Sequence, residues 1–335
     1  PSPQAEESAF APWGVNLSGR NMDILPGNNF FRYANGTYLE HLKIPPDMTS
    51  YGPFNALAEL SRTREQTILD ELAAHSVAAP RTTEEKLGTF YASYMDTAEV
   101  ERQGIQPLAT DLAAIRAIED MAGFAALTGT SPSGFQFAPF SLGINPDAKD
   151  PTRYALNLDQ AGLGLPDRDY YLKPAFAAKK KAYQTYVEQA LTLIDWPDAK
   201  AAAEAIVGFE TRLAETHWAR ADLRDPQKTY NPMTLAELSA KAPGLDWAAW
   251  LQASGLPTRS LDHRSLIVGE PSAITGEAHV LSTTDMNTLK AWLAFHLVDN
   301  AAAYLPERFE QTRFTFTSAL SGQPALPARW QRGLH

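Results

Sequence analysis

Cysteine is absent from all 335 residues. That excludes disulfide staples and thiol nucleophiles, and thiols carry no information about export. A positive excess is absent as well: Lys and Arg number 29 against 39 Asp and Glu, for a net charge of −10. Such a balance repels a phosphate backbone and excludes nucleic acid as a partner. Long apolar runs are missing. The longest uncharged one toward the end, Ala291 to Val298, is too short to span a bilayer and contains His296, so no membrane span is expected. No basic segment followed by an apolar one opens the chain. There is no G-x-S-x-G elbow, and pairs such as Ser18-Gly19 and Ser133-Gly134 read as turn formers. Internal repeats are lacking too.

What is present is an ordinary soluble composition, 44% hydrophobic and 20% charged, in a chain long enough to bury a large core as one elongated domain or two. The first 25 residues read as a polar, disordered or extended tail. Pro26-Gly27 then opens a turn, and Asn28 or Asn29 caps a short helix carrying Phe30, Phe31, Tyr33 and Ala34, with Asn35-Gly36 as its expected stop. The aromatics between these two breakers are expected to be core anchors. Ile44-Pro45-Pro46 forces extended backbone. Thr49 or Ser50 is expected to cap the next helix, with Pro53 in its first turn, and Phe54, Leu57, Leu60, Ile68, Leu69 and Leu72 recur at helical spacing. Thr82 with Glu85 forms a capping box before Leu87, Phe90, Tyr91, Tyr94 and Met95, and Thr234 with Glu237 forms another. Helical periodicity continues through Leu108, Leu112, Ile115 and Ile118, through 176–194 and 199–218, around Trp247 and Trp250, and over 284–316. Residues 137–160 differ. A β-hairpin is expected there, Phe137–Ile144 against Arg153–Asp159, turning at Asn145-Pro146-Asp147, and Leu266-Ile267-Val268 has the pattern of a short strand. The fold class is mainly α: a multi-helical domain over 26–320 with a small β-hairpin.

Several loops are tempting as sites. Gly162-Leu163-Gly164 lacks the third glycine of a dinucleotide fingerprint and is followed by Pro166, so it reads as a turn feeding a helix capped by Asp167. Arg168 between Asp167 and Asp169 reads as a structural ion pair. Lys179-Lys180-Lys181 reads as a solvated helix face. For a metal, His217 near Glu210 and Glu215 is the first candidate and His279 beside Glu277 the second, but Glu215 and His217 point in different directions on a helix. Neither set is expected to ligate.

Four stretches carry a resemblance. Pro26-Gly27-Asn28-Asn29-Phe30-Phe31-Arg32-Tyr33-Ala34-Asn35-Gly36-Thr37-Tyr38-Leu39, followed by Ile44-Pro45 and Ser50-Tyr51-Gly52-Pro53-Phe54, resembles the opening pattern of the neprilysin-type zinc endopeptidases. Asparagines replace the usual aspartates there, and Tyr38 the usual tryptophan. Leu158 to Leu172 (LDQAGLGLPDRDYYL) is similar to that family's L-G-L-P-x-R-D-Y-Y block. Leu223 to Leu238 (LRDPQKTYNPMTLAEL) is similar to its R-D…Y-N-x-M-T-L block. Residues 321–335, which include Arg329-Trp330-Gln331-Arg332, resemble the connector toward the family's catalytic half. The resemblance covers nearly the whole chain but only the first half of the family's length.

It implies a bacterial-type helical lid that encloses peptides above a thermolysin-like domain. The partners implied are that C-terminal catalytic half and peptide substrates, with a periplasmic or secreted location. Zinc is implied for the complete enzyme, with none bound by this segment. The catalytic motif, His-Glu-x-x-His on one helix face, is missing here: no two of the seven histidines stand four apart and none precedes Glu. No Glu has Asp four residues on, as the third ligand requires, and Asn300-Ala301-Ala302-Ala303-Tyr304 reads as ordinary helix. The resemblance therefore assigns no catalytic and no metal residue. Its substrate-contacting arginines align with Ser50 and Ala58, which cannot bind a carboxylate bidentately. It does offer Phe54, as an apolar side pocket, and Asn55 as substrate-binding residues. The alternative reading is a free-standing, non-catalytic peptide-binding or scaffold domain.

Overall fold

The computed structural model describes residues 17–130, 134–135, 137–256 and 266–334. The expected tail up to residue 16 and Ser133 of the Ser133-Gly134 turn lie outside these, as does His263. Two compact units form. One comprises residues up to Thr63 with Gln323–Ala325, the other Arg64–Gly322 with Leu326 onward.

In the first unit, α1 (Phe30–His41) is capped by Asn29, whose side chain accepts from the Arg32 amide. The helix does not stop at Asn35-Gly36. The Asn35 side chain donates to the Phe31 carbonyl one turn back, and at Gly36 the helix meets a neighbour: an added Cβ would lie 2.6 Å from the Asn21 Cβ. The glycine serves close approach here rather than termination. Phe30 and Phe31, expected as core anchors, are 68% and 62% exposed. α2 (Pro53–Ala73) starts later than the Thr49/Ser50 cap implied. The Gly52 carbonyl accepts the first helical bond, from Ala56, and Pro53 occupies the first helical position, where its missing N–H costs nothing. Phe54, Leu57 and Leu60 on this helix are all exposed.

In the second unit, where α2 ends with Ile68 exposed, come α3 (Thr83–Met95), α4 (Thr97–Gln103), α5 (Ala109–Arg116) and α6 (Met121–Gly129). The Thr82–Glu85 capping box forms as read from sequence. Only Tyr91 and Tyr94 of the expected α3 face are buried; Leu87, Phe90 and Met95 are exposed. Gly88 lets α3 meet α2, because a Cβ there would lie 2.3 Å from the Leu72 carbonyl oxygen. Backbone cannot give way as a side-chain tip can, so Gly88→Ala is expected to lower stability by about 1–3 kcal/mol, read as a lower urea midpoint with unchanged slope. An unchanged midpoint would show that the two helices need no such contact.

The hairpin is β1 (Phe140–Asp147) with β2 (Asp150–Gln160). The turn lies at 148–149, beyond the expected Asn145-Pro146-Asp147, which instead continues β1 to an irregularity between Pro146 and Asp147. Proline is tolerated there because β1 is an edge strand. After α7 (Asp169–Leu172), α8 (Ala177–Leu193) and α9 (Ala199–Thr216), β3 (Asn231–Met233) precedes α10 (Leu235–Lys241), α11 (Trp247–Ala253) and β4 (Leu266–Val268). The strands form one four-stranded sheet in the order β1-β2-β4-β3, with β4 parallel to β2 and antiparallel to β3. The Thr234–Glu237 box caps α10. α12 (Pro271–Ser282), α13 (Met286–Ala301), α14 (Glu307–Ser321) and α15 (Arg329–Arg332) complete the chain.

α13 is the centre of the core. Every residue from Ala291 to Val298 is buried, which identifies a helix packed on all sides and accounts for the apolar run near the end of the sequence. α14 packs Phe316 against Tyr183 and Tyr186 of α8, with ring centroids 5.4 and 5.0 Å apart. At α15, the Arg329 guanidinium lies over the Tyr94 ring and its Nε donates to the Tyr94 carbonyl.

Candidate functional site

The two residues expected to contact substrate stand together at the start of α2. Phe54 is 88% exposed and Asn55 is half-buried. Phe54 is therefore not a core residue within its unit, and its ring is free to meet another molecule. Beside them, Tyr51 donates to Glu59 across two turns of chain, 2.5 Å.

The buried polar chemistry lies in the second unit, and it explains the L-G-L-P-x-R-D-Y-Y stretch. Glu210 on α9 is fully buried. Tyr171 donates to one of its oxygens (2.6 Å). Tyr183 and the Trp292 indole donate to the other (3.0 Å each), and His296 Nε2 lies 2.8 Å from that same oxygen. Tyr171 in turn accepts from the Leu165 amide. Gly164 is required because a Cβ there would fall 1.9 Å from the Tyr183 hydroxyl. The ring of Phe137 stacks on His296 at 3.8 Å. A buried carboxylate is tolerable only when its lone pairs are used, and the stretch from Gly164 to Tyr171 supplies part of that shell.

Just past the end of α9, at its C-cap position, His217 meets Glu277 of α12, with Nε2 2.6 Å from Oε1. Burial pushes the His217 pKa down to about 4; its hydrogen bond to the Ala161 backbone opposes this and the nearby Arg168 adds to it. Burial likewise raises the Glu277 carboxyl well above the usual range, with Glu270 adding to it and the Ala161 backbone opposing. Burial thus favours the uncharged form of each of the two groups. Sequence reading placed Glu210 and Glu215 beside His217 and missed Glu277. No local spacing pairs His217 at the end of α9 with Glu277 on α12, two separate elements of the chain. His279 is exposed, as is Glu215.

The other expectations resolve similarly. Arg168 does not bridge Asp167 and Asp169: its guanidinium donates to the His217 carbonyl, Asp167 pairs with Arg220 and Asp169 with Lys173. Asp167 accepts from the Asp169 amide rather than capping α7, whose N-cap position is Arg168. Lys179 and Lys180 are not merely solvated; they donate to the Leu320 and Tyr171 carbonyls. In the third block, Tyr230 donates to Asp147 and Asn231 to the Val268 carbonyl, tying hairpin and β4 together. The Lys149 amide, then Tyr230, hold the Asp147 carboxyl down to about 2.

None of this is a metal centre. Among the described residues no group of three or more His, Asp or Glu side chains is placed to hold an ion. Glu210 already accepts from Tyr171, Tyr183 and Trp292, and His217 with Glu277 supplies two ligating groups where a zinc site needs three or four. No described helix is long and apolar enough to cross a membrane.

Residues 26–335 match the profile of the N-terminal region of peptidase family M13. Endothelin-converting enzyme 1 of Cavia porcellus is 27% identical over 333 residues, which is 94% of this chain and 43% of that protein. Neprilysin-11 of Caenorhabditis elegans is 26% identical over 341 residues, 94% of this chain and 39% of that protein. Among solved structures, the inhibitor complex of the Mycobacterium tuberculosis zinc metalloprotease Zmp1 superposes with a TM-score of 0.89 at 30% identity, covering 96% of this chain and 49% of that one. The chain thus spans less than half the length of these relatives. A match over nearly every residue, with the family blocks folded around Glu210 and Asp147, assigns the chain to peptidase family M13, of which it represents the N-terminal part.

Proposed function

We propose that this chain is the substrate-enclosing part of a zinc-dependent endopeptidase, with the zinc and the hydrolytic groups in the C-terminal half of the complete protein. The observation carrying this reading is that the M13 match runs through residue 335 while more than half of each relative's length lies outside it. The apolar side chains exposed on the first unit, Phe30, Phe31, Phe54 and Leu57, are of the kind a second domain or a peptide covers. Phe54 and Asn55 contact peptide substrate; the remaining helices form cavity wall and select substrates by size, excluding water and folded proteins. The setting is periplasmic or secreted.

Two preparations test this: the 335-residue chain, and the same chain continued through the sequence that follows it. The longer protein is expected to bind one zinc and cleave a quenched fluorescent peptide; the shorter is expected to do neither. Stoichiometric zinc and cleavage by the shorter chain would overturn the assignment of chemistry to the other half. A longer protein that binds peptide without zinc would instead establish the non-catalytic binding reading. In the active protein, Phe54→Ala is expected to raise KM about tenfold or more if its ring fills an apolar subsite; an unchanged KM would remove Phe54 from the substrate contacts.

A further inference from the structure

Among the described residues β1 is the terminal strand of its sheet and pairs only with β2. Its outer edge therefore carries a row of backbone N–H and C=O groups without sheet partners. Natural edge strands are guarded by charge, proline or bulges. Along Ser141-Leu142-Gly143-Ile144-Asn145 there is no charged residue and no proline. The register is regular there, and Pro146 with the adjacent irregularity comes only at the far end. Ser141, Ile144 and Asn145 are exposed.

This edge is also held rigid from both ends. Phe140 is buried against Trp247 and Trp250. At the tip, Asp147 is gripped by Tyr230 at 2.8 Å and by Arg153 at 2.8 Å. On one face, the apolar row of the core (Leu158, Leu156) continues outward to exposed Ile144 and Tyr154, which share that face by the register. An ordered, unguarded edge flanked by apolar side chains is the geometry that captures an extended chain by strand addition. Little ordering entropy remains on the protein side.

We infer that the outer edge of β1 over Ser141–Asn145 binds an extended, neutral-to-basic peptide in trans as a fifth strand. The net charge of −10 argues for such a peptide over a second copy of this chain, since two copies paired edge to edge would bring like charges together. The edge supplies backbone pairing without sequence preference, and Ile144 and Tyr154 favour apolar side chains on the peptide's matching face. The choice of ligand rests on the peptide-enclosing role proposed above; the zinc and cleavage assay tests that role separately, so either can fail alone.

The probe is a capped peptide of alternating threonine and valine with lysines at both ends, compared with the same peptide N-methylated at every residue so that neither of its edges can donate. Binding is followed by titration, and amide hydrogen exchange of the 335-residue chain is recorded free and saturated. The unmodified peptide is expected to slow exchange within Ser141–Asn145 about tenfold or more, and N-methylation is expected to weaken binding about tenfold or more, as the loss of two or more backbone hydrogen bonds requires. Equal binding of both peptides would overturn the proposal, as would binding without protection of β1 or no binding at millimolar peptide. Protection of this edge in the free chain that grows with protein concentration would overturn it in favour of a second copy.

Discussion

Glu210→Leu is expected to be the most damaging single substitution outside the glycines. It removes the acceptor shared by Tyr171, Tyr183, Trp292 and His296 at a position with no solvent access. Replacing both sides of a buried polar contact with apolar groups can be nearly neutral, but removing one side leaves the others desolvated and unpaired. Breaking such a site by deleting one partner costs about 3–5 kcal/mol, against a total stability of about 5–15 kcal/mol for a typical domain. The variant should therefore lie near the threshold of folding, with a much lower urea midpoint and reduced soluble yield. Tyr171→Phe, which removes only one donor and leaves the ring, is expected to cost about 1–3 kcal/mol and gives a measurable intermediate if Glu210→Leu does not fold. Wild-type midpoints for both variants would mean that the network is not holding the core.

The second large effect is a dependence of stability on pH. Glu277 has its carboxyl raised in the folded state, so its contribution is complete below its unfolded value of 4.5 and is lost as pH rises toward the folded value. His217 is lowered from 6.5 to about 4. Its contribution is complete above 6.5 and is lost as pH falls toward 4. Between about 4.5 and 6.5 the two slopes oppose, because folding only moves a proton from imidazole to carboxyl. Above 6.5 the unfolded chain has released that proton, and the raised Glu277 carboxyl makes stability fall with rising pH until the folded carboxyl also ionises. Glu277→Gln removes the titrating carboxyl. The wild-type advantage over Glu277→Gln, read from urea midpoints, is therefore expected to shrink as pH rises from 5 toward the pKa of the folded carboxyl. A difference that stays constant or grows with pH would mean that the pair is ionised in the folded protein. Arg168 beside His217 and Glu270 beside Glu277, with Asp159 behind it, are common to both proteins and cancel in the comparison.

Both effects arise from residues brought together across long stretches of chain, and this separates what was legible from what was not. Helices α3, α8, α9, α11 and α13 and the two capping boxes could be read directly, because periodicity and caps are local properties of a few adjacent residues. The family blocks could be recognised as patterns, but their purpose could not. Gly164 looks like a turn residue until the Tyr183 hydroxyl appears beside it. Gly36 looks like a helix stop until Asn21 is seen across from it. Local sequence marks a glycine without saying whether it serves a turn or a close approach.

The sequence by itself determined that the chain is mainly helical, which family it joins, and that His-Glu-x-x-His is not among its residues. Each of these is a matter of spacing along one strand of text. Tertiary structure alone decided that Glu277 rather than Glu215 faces His217, that Glu210 anchors four side chains, that Phe30 and Phe54 face outward within their unit, and that β1 ends its sheet with an unguarded edge. The reason is physical: burial removes water from a group. Its charge state and partners are then set by whatever the fold packs within a few ångströms, which the local order of residues does not specify.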